Sequence, residues 1–181
     1  LRNANKFYDS GEFSSALDLL ESSKVLFDSS DDKVKSQQML LYGKIHTSMQ
    51  DFSLAMEAFN ISKDLGISSD QLGPELMRLE NLIITNAISD QESGNSLDAA
   101  IKLKMAYDLN PEVNQDYLYF AAGNAVNSIN YSLALEYYLL LRDINYDGVT
   151  TKFYITEVES GNEIEISSED EFNLLQKSKD Y

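Results

Sequence analysis

A five-point skeleton recurs four times along this chain, and it constrains the fold more than any other feature. It reads turn, aromatic, small residue after three, bulky residue after four more, and small or apolar residue after a further three. Around Ala16 it is Gly11, Phe13, Ala16, Leu20 and Ser23. Around Ala55 it is Gln50, Phe52, Ala55, Phe59 and Ser62. Around Ala134 it is Ile129, Tyr131, Ala134, Tyr138 and Leu141. The copy around Ala99 keeps the order, with Gly94 and Asn95 as the turn and Leu103 and Ala106 beyond, and replaces the aromatic by Ser96. The alanines are spaced by 39, 44 and 35 residues. A small, bulky, small stripe at helical spacing lets a second helix approach closely and fills the gap between. No single helix can bury such a face alone, so a fixed repeat of it predicts an array in which neighbours cover one another.

About twelve positions before each alanine stands another small residue, Ala4, Gly43, Ala87 or Ala122, within a second periodic segment. Each copy is therefore read as a helical hairpin. The expected helices run Leu1–Asp9 with Phe13–Phe27, Lys33–Met49 with Phe52–Leu65, Gln71–Asp90 with the segment before Pro111, and Glu112–Ser128 with Tyr131–Asp143. Ser29-Ser30-Asp31-Asp32 offers caps for the helix that follows, as does Ser68 or Ser69. Pro74 is expected in a first turn, where its missing N–H costs little. Leu72, Leu76, Leu79, Ile83 and Ala87 form the buried stripe of that helix.

Beyond Asp147 the periodicity changes to two. Lys152–Val158 and Glu163–Ile166 alternate around Gly161-Asn162, a hairpin signal. Closing on that pair sets Glu159 opposite Ile164 and Glu157 opposite Ile166, with Phe153, Ile155, Ile164 and Ile166 on one face. Glu157, Glu159, Glu163 and Glu165 read as edge protection. Ser168 and Glu171 read as a capping box for a last helix, Glu169–Ser178, with Phe172, Leu174 and Leu175 inward.

The pairing of Tyr42-Gly43 with Phe52, Ala55 and Phe59, and of Ala106 with Pro111, resembles the tetratricopeptide repeat (TPR) family. The resemblance implies an all-α, right-handed solenoid of about four hairpins over residues 1–146, with repeats at about 1–30, 31–68, 69–111 and 112–146. Residues 147–181 then form a small β-hairpin and a capping helix in the same folding unit. The run from Leu109-Asn110-Pro111 through Ala134-Leu135-Glu136-Tyr137-Tyr138 to Glu159-Ser160-Gly161-Asn162-Glu163 resembles exported bacterial TPR proteins. It implies a periplasmic or cell-envelope setting, the alternative being cytoplasmic. The chain starts at Leu1, already inside the first hairpin, so further residues are expected upstream.

A net charge of −16, from 14 basic and 30 acidic side chains, opposes binding to nucleic acid or to anionic membrane surfaces. It suits a basic partner or simply a solvated surface. No apolar run approaches the length of a membrane span. Cysteine is absent, and His46 is the only histidine. Lying four residues after Tyr42 on an inner stripe, His46 is expected to be a packed, hydrogen-bonded core residue. With no cysteine and one histidine, neither a Ser-His-Asp nor a Cys-His arrangement stands out, and no phosphate loop or zinc spacing appears. The expectation is a protein that is not an enzyme and has no cofactor. Asp143, Asn145, Asp147 and Gly148 match the start of a calcium loop, but its twelfth position is Tyr154 and lacks the bidentate glutamate. The reading is a turn, with no metal.

In TPR folds the first helix of each hairpin lines a concave groove that takes peptides or helices. Carried onto this chain, the groove positions are Asn5, Tyr8, Gln37, Lys44, Thr47, Tyr119 and Asn127, with Leu40, Ile84, Ile88, Gln91, Gly123 and Val126 beside them. They lack the several Lys and Arg residues with which one TPR subgroup clamps a C-terminal carboxylate. The function implied is a scaffold or adaptor for a protein or peptide partner. An envelope binder of glycan or peptide, with Tyr8, Tyr42, Tyr119 and Tyr131 as stacking faces, is the alternative, as is a structural homo-oligomer.

Overall fold

The computed structural model describes residues 1–149, 153–157, 160–166 and 169–175. The chain is mainly α-helical, with one small antiparallel sheet. It divides into two compact units, Leu1–Tyr146 and Asp147–Tyr181.

In the first unit the helices are α1 (Arg2–Asp9), α2 (Phe13–Ser22), α3 (Lys24–Asp28), α4 (Asp32–Met49), α5 (Phe52–Asp64), α6 (Ser69–Glu92), α7 (Ser96–Leu109), α8 (Gln115–Asn127) and α9 (Tyr131–Asp143). They pack as consecutive hairpins, α1 on α2, α4 on α5, α6 on α7 and α8 on α9, with α7 also packed on α8. The residue five before each repeat alanine, Gly11, Gln50, Gly94 or Ile129, has φ between 61° and 80°. At all four, the next N–H reaches back to a carbonyl five residues earlier: Glu12 to Phe7, Asp51 to His46, Asn95 to Asp90 and Asn130 to Ala125. This left-handed closure satisfies carbonyls that the ending helix leaves unpaired. One sequence skeleton thus produces one turn, four times.

Two of those turns lack glycine. A β-branched side chain in the left-handed region costs about 1–2 kcal/mol, and Ile129 is 73% exposed, so packing returns little. Ile129→Gly removes the strain and adds some unfolded-state entropy. The expected result is a net stabilisation of about 0.5–1 kcal/mol, read as a higher denaturant midpoint with an unchanged slope.

The four alanines, at 0–3% exposure, and the four small residues of the preceding helices are all buried. Three clusters divide the core. Ala4, Ala16, Leu20, Phe27, Leu41 and Ile45 hold the first hairpin against α4. Phe52, Phe59, Leu72, Leu79 and Ile83 join α5 to α6. Ala87, Leu103, Leu118, Ala122, Tyr137 and Leu141 close the unit through α9. Ser62 donates from α5 to the Ser36 carbonyl of α4 at 2.7 Å, a polar stitch at full burial.

The helix expected over Phe13–Phe27 is broken. α2 ends at Ser22 and α3 begins at Lys24. The Ser22 hydroxyl donates to the Leu19 carbonyl, and the Ser23 N–H bonds Leu20 rather than continuing the ladder. Adjacent serines offer the backbone an alternative to the helix. α6 starts earlier than expected, so Pro74 lies in its second turn, on an exposed face. Asp31 caps α4 through the Val34 N–H at 2.9 Å.

In the second unit, β1 (Phe153–Thr156) pairs with β2 (Glu163–Ile166), and α10 (Glu169–Leu175) packs against both strands. The register differs from the one expected. Ile166 faces Phe153, not Glu157, and Ile164 faces Ile155. The reason is a wider turn, in which the Gly161 N–H bonds the Glu157 carbonyl at 2.8 Å and the Glu157 N–H bonds the Asn162 carbonyl. The slip is an even number of residues, so Phe153, Ile155, Ile164 and Ile166 still share a face, with Ile155 and Ile166 buried. Phe172 stacks on Phe153 with ring centroids 5.0 Å apart. Leu174, expected inward, is 70% exposed, because it lies off the Phe172–Leu175 stripe of the helix. The expected roles of Glu159 and Ser168, and the last turn to Ser178, fall outside the described residues.

Candidate functional site

A polar cluster joins α1, α4 and α6. From α1, Tyr8 presents its ring to the Lys44 ammonium of α4, 5.0 Å from the centroid. From α6, Glu75 accepts Lys44 at 3.3 Å. One turn on, Arg78 donates from Nη1 to the Tyr8 hydroxyl at 2.8 Å and from Nη2 to the Ser48 hydroxyl at 3.0 Å. Arg78 also lies 3.9 Å from Glu75. Three hairpins are thereby tied across one surface by side chains that remain partly exposed. Pairs this exposed are worth about 0–1 kcal/mol each, so the cluster sets geometry more than stability. Two cations against one carboxylate give it the opposite sign to the chain as a whole.

Beyond the tie the face is open. Pro74, Met77, Arg78, Asn81, Leu82 and Thr85 line a shallow cavity of about 500 Å³. Met77 and Ile88 are exposed on α6, as are Tyr119, Val126 and Asn127 on α8. Gly123 stands among the latter, and a Cβ there would meet nothing within 4 Å. On α6, Met77 thus sets apolar contact area beside the Asn81 amide and the Thr85 hydroxyl.

The expected groove residues separate into groups. Tyr8 and Lys44 are brought together. Tyr119 sits beside Phe120 and Tyr146, each 5.9 Å away between centroids. Asn5 turns its amide to the Leu1 carbonyl at 3.1 Å. Gln37 lies at the far end of α4 and lines a separate cavity with Leu65, Gly66 and Gln71. Thr47 is a correction. It is fully buried, and its hydroxyl is spent on the Gly43 carbonyl at 2.7 Å, so it cannot touch a partner. Ser48, Glu75 and Arg78 were not anticipated. The only sequence signal for the two on α6 was that helix's extra length ahead of Ala87. The four tyrosines suggested as stacking faces are not assembled: among the described residues, no ring contact joins any two of them.

His46 is buried, 5.1 Å from the Tyr42 ring and 3.3 Å from the Asp51 carboxylate. Asp143 is taken by the Arg142 guanidinium at 2.7 Å, Asn145 adopts φ 55°, and Asp147 accepts the Val149 N–H. Among the described residues no cluster of three or more His, Asp or Glu side chains could hold a metal, and no helix is long and apolar enough to cross a membrane.

Tyr42 donates to Glu21 at 2.9 Å. Burial first, then that bond and the nearby charge, push its hydroxyl from the ordinary 10.0 to about 12. The neutral phenol is thus favoured by folding. Its contribution is complete below pH 10 and is lost as pH rises from there through about 12. In a tyrosinate absorbance titration, Tyr42→Phe is expected to remove a late-ionising component while leaving the earlier ones in place.

No protein-family model matches the chain, and a search of curated proteins found no match.

Proposed function

We propose that residues 1–146 form a TPR-type right-handed solenoid that acts as a non-catalytic adaptor, holding an extended protein or peptide segment across the face of α1, α4, α6 and α8. The observation that carries this reading is the fourfold repetition of one left-handed turn before one buried alanine. The mixed character of that face, with Met77, Asn81, Thr85, Tyr119 and Asn127 beside the Tyr8–Arg78 tie, supports a segment bound through its backbone. The cell envelope is the setting proposed, on the resemblance of the segment from Leu109 to Glu163.

The reading is tested by affinity capture from envelope and soluble fractions of the native cell. The bait is wild type or a Lys44→Glu/Tyr119→Ala/Asn127→Ala variant whose circular dichroism and melting match wild type. A protein enriched by wild type and lost with the variant is the expected result. Equal enrichment by both sets the face aside.

A structural homo-oligomer is the second reading, favoured by one specific observation. Tyr131, Leu135, Tyr138 and Leu139 form an exposed apolar stripe on α9, each at least 39% accessible. Sedimentation velocity across a hundredfold concentration range separates the two readings. A concentration-dependent dimer abolished by Leu135→Lys supports the oligomer, and a monomer throughout removes it.

A further inference from the structure

The break between α2 and α3 lies beside a cavity that the adaptor reading does not use. It measures about 360 Å³ and is lined by Leu20, Glu21, Lys24, Gln38, Met39 and Tyr42. That is within the size range of small-molecule sites, about 300–1,000 Å³. Its floor is apolar: Leu20 is 1% exposed and Met39 is partly buried. Its polar groups are unlike those of an ordinary surface dent.

Gln38 is 6% exposed, yet its amide makes no hydrogen bond to a described residue. The amide borders the open volume of the cavity, where it is free to bond an entering group. Glu21 and Lys24 carry opposite charges on the same cavity wall, and neither forms an ion pair with a described residue. The serine break between them removes the regular helical turn that would have let residues three apart meet. One Glu21 oxygen is held by the Tyr42 hydroxyl. That hydroxyl stays protonated to well above neutral pH, so it remains a donor and fixes the carboxylate in place. The other oxygen makes no bond with a described residue.

We propose that this cavity binds a zwitterionic α-amino acid with an apolar side chain. The ammonium sits on the Glu21 carboxylate and the ligand carboxylate on Lys24. The Gln38 amide bonds the polar end of the ligand, and its side chain lies over Leu20 and Met39. An unpaired plus and minus on one wall select a molecule carrying both charges. The apolar floor selects the side chain, and the Gln38 amide at the cavity wall supplies orientation. The proposal is independent of the adaptor reading, since no residue is shared with the α1–α4–α6 tie.

The test is isothermal titration calorimetry of the whole chain with L-methionine and L-leucine, beside N-acetyl-L-methionine and L-methionine methyl ester. Each blocked compound lacks one of the two charges. Binding of the free amino acids, weakened about tenfold or more by either blocking group, is the expected result. The same loss is expected in Glu21→Gln and Lys24→Ala, and in Gln38→Met, which keeps the volume and removes the amide. Because the ligand comparison uses the unaltered chain, a variant that fails to fold does not decide the outcome. No heat at about 10 mM free amino acid overturns the proposal, as does equal binding of the blocked compounds.

Discussion

Ala55→Asp and Ala99→Asp are expected to unfold the middle of the array. Both alanines are at 0% exposure, and both lie where a second helix packs directly on the backbone. Ala55 sits among Phe52, Phe59 and Leu79, and Ala99 follows the turn at Gly94 and is sealed on the inner side of α7. A carboxylate there must be buried unpaired or must push two helices apart. Either route costs several kcal/mol, about 4 or more. A chain of this size loses about 2–4 °C of Tm per kcal/mol, so a drop of about 10 °C or more is expected. Because most of the packing joins neighbouring hairpins, amide exchange should rise first in α4–α7 and last in α9. An unchanged melting midpoint in either variant would contradict the register of the repeats.

Gly43→Ala carries the second large effect, and its sign is opposite to helix propensity. Alanine in a helix interior ordinarily gains about 1 kcal/mol over glycine. Here a Cβ would stand 2.3, 2.4 and 2.9 Å from three ring atoms of Phe59, which is itself 1% exposed and enclosed by α6. Neither ring nor helix can retreat without opening the core. The overpacking penalty, about 1–3 kcal/mol for an extra methyl and more at such distances, exceeds the propensity gain. A net loss of about 2 kcal/mol is expected, and more for Gly43→Val. Phe59→Leu alone leaves a void and also destabilises. In the double variant the methyl occupies part of that void, so the two losses should sum to more than the double variant shows. Strict additivity in urea melts would mean that Gly43 and Phe59 do not touch.

The hairpins were legible because their signal is steric. Small residues at Ala4, Gly43, Ala87 and Ala122, and at the four skeleton alanines, mark where backbones approach, and the structure buries every one of them. The turns were legible as positions even where the residue was wrong for them. Gln50 and Ile129 adopt the conformation of Gly11 and Gly94 because hairpin packing outweighs local strain. The face of the first helices was less legible. Thr47 looks available by type, but its hydroxyl bonds its own helix, and sequence does not reveal that choice. Glu75 and Arg78 lie in turns of α6 well ahead of its small residue Ala87, whereas Lys44 directly follows Gly43, so no shared spacing placed them beside Lys44 and Tyr8. The strand register failed for a local reason. Gly161-Asn162 signals a tight turn, while the Glu157 carbonyl is taken by the Gly161 N–H, which ends β1 earlier. A two-residue period carries no information about a slip by an even number.

The adaptor reading stands or falls on where a partner touches. Site-specific photocrosslinking inside the native cell tests this most directly. A photoreactive phenylalanine analogue is placed at Asn81, Thr85 or Asn127 on the proposed face. For comparison it is placed at Leu54 or Ile101, which line a cavity between α5 and α7. All five are exposed, so the probe should leave the fold intact. One discrete heteromeric adduct from the first three positions, and none from the other two, is the predicted pattern. Adducts confined to Leu54 and Ile101, or dimers of the chain itself at every position, would contradict it.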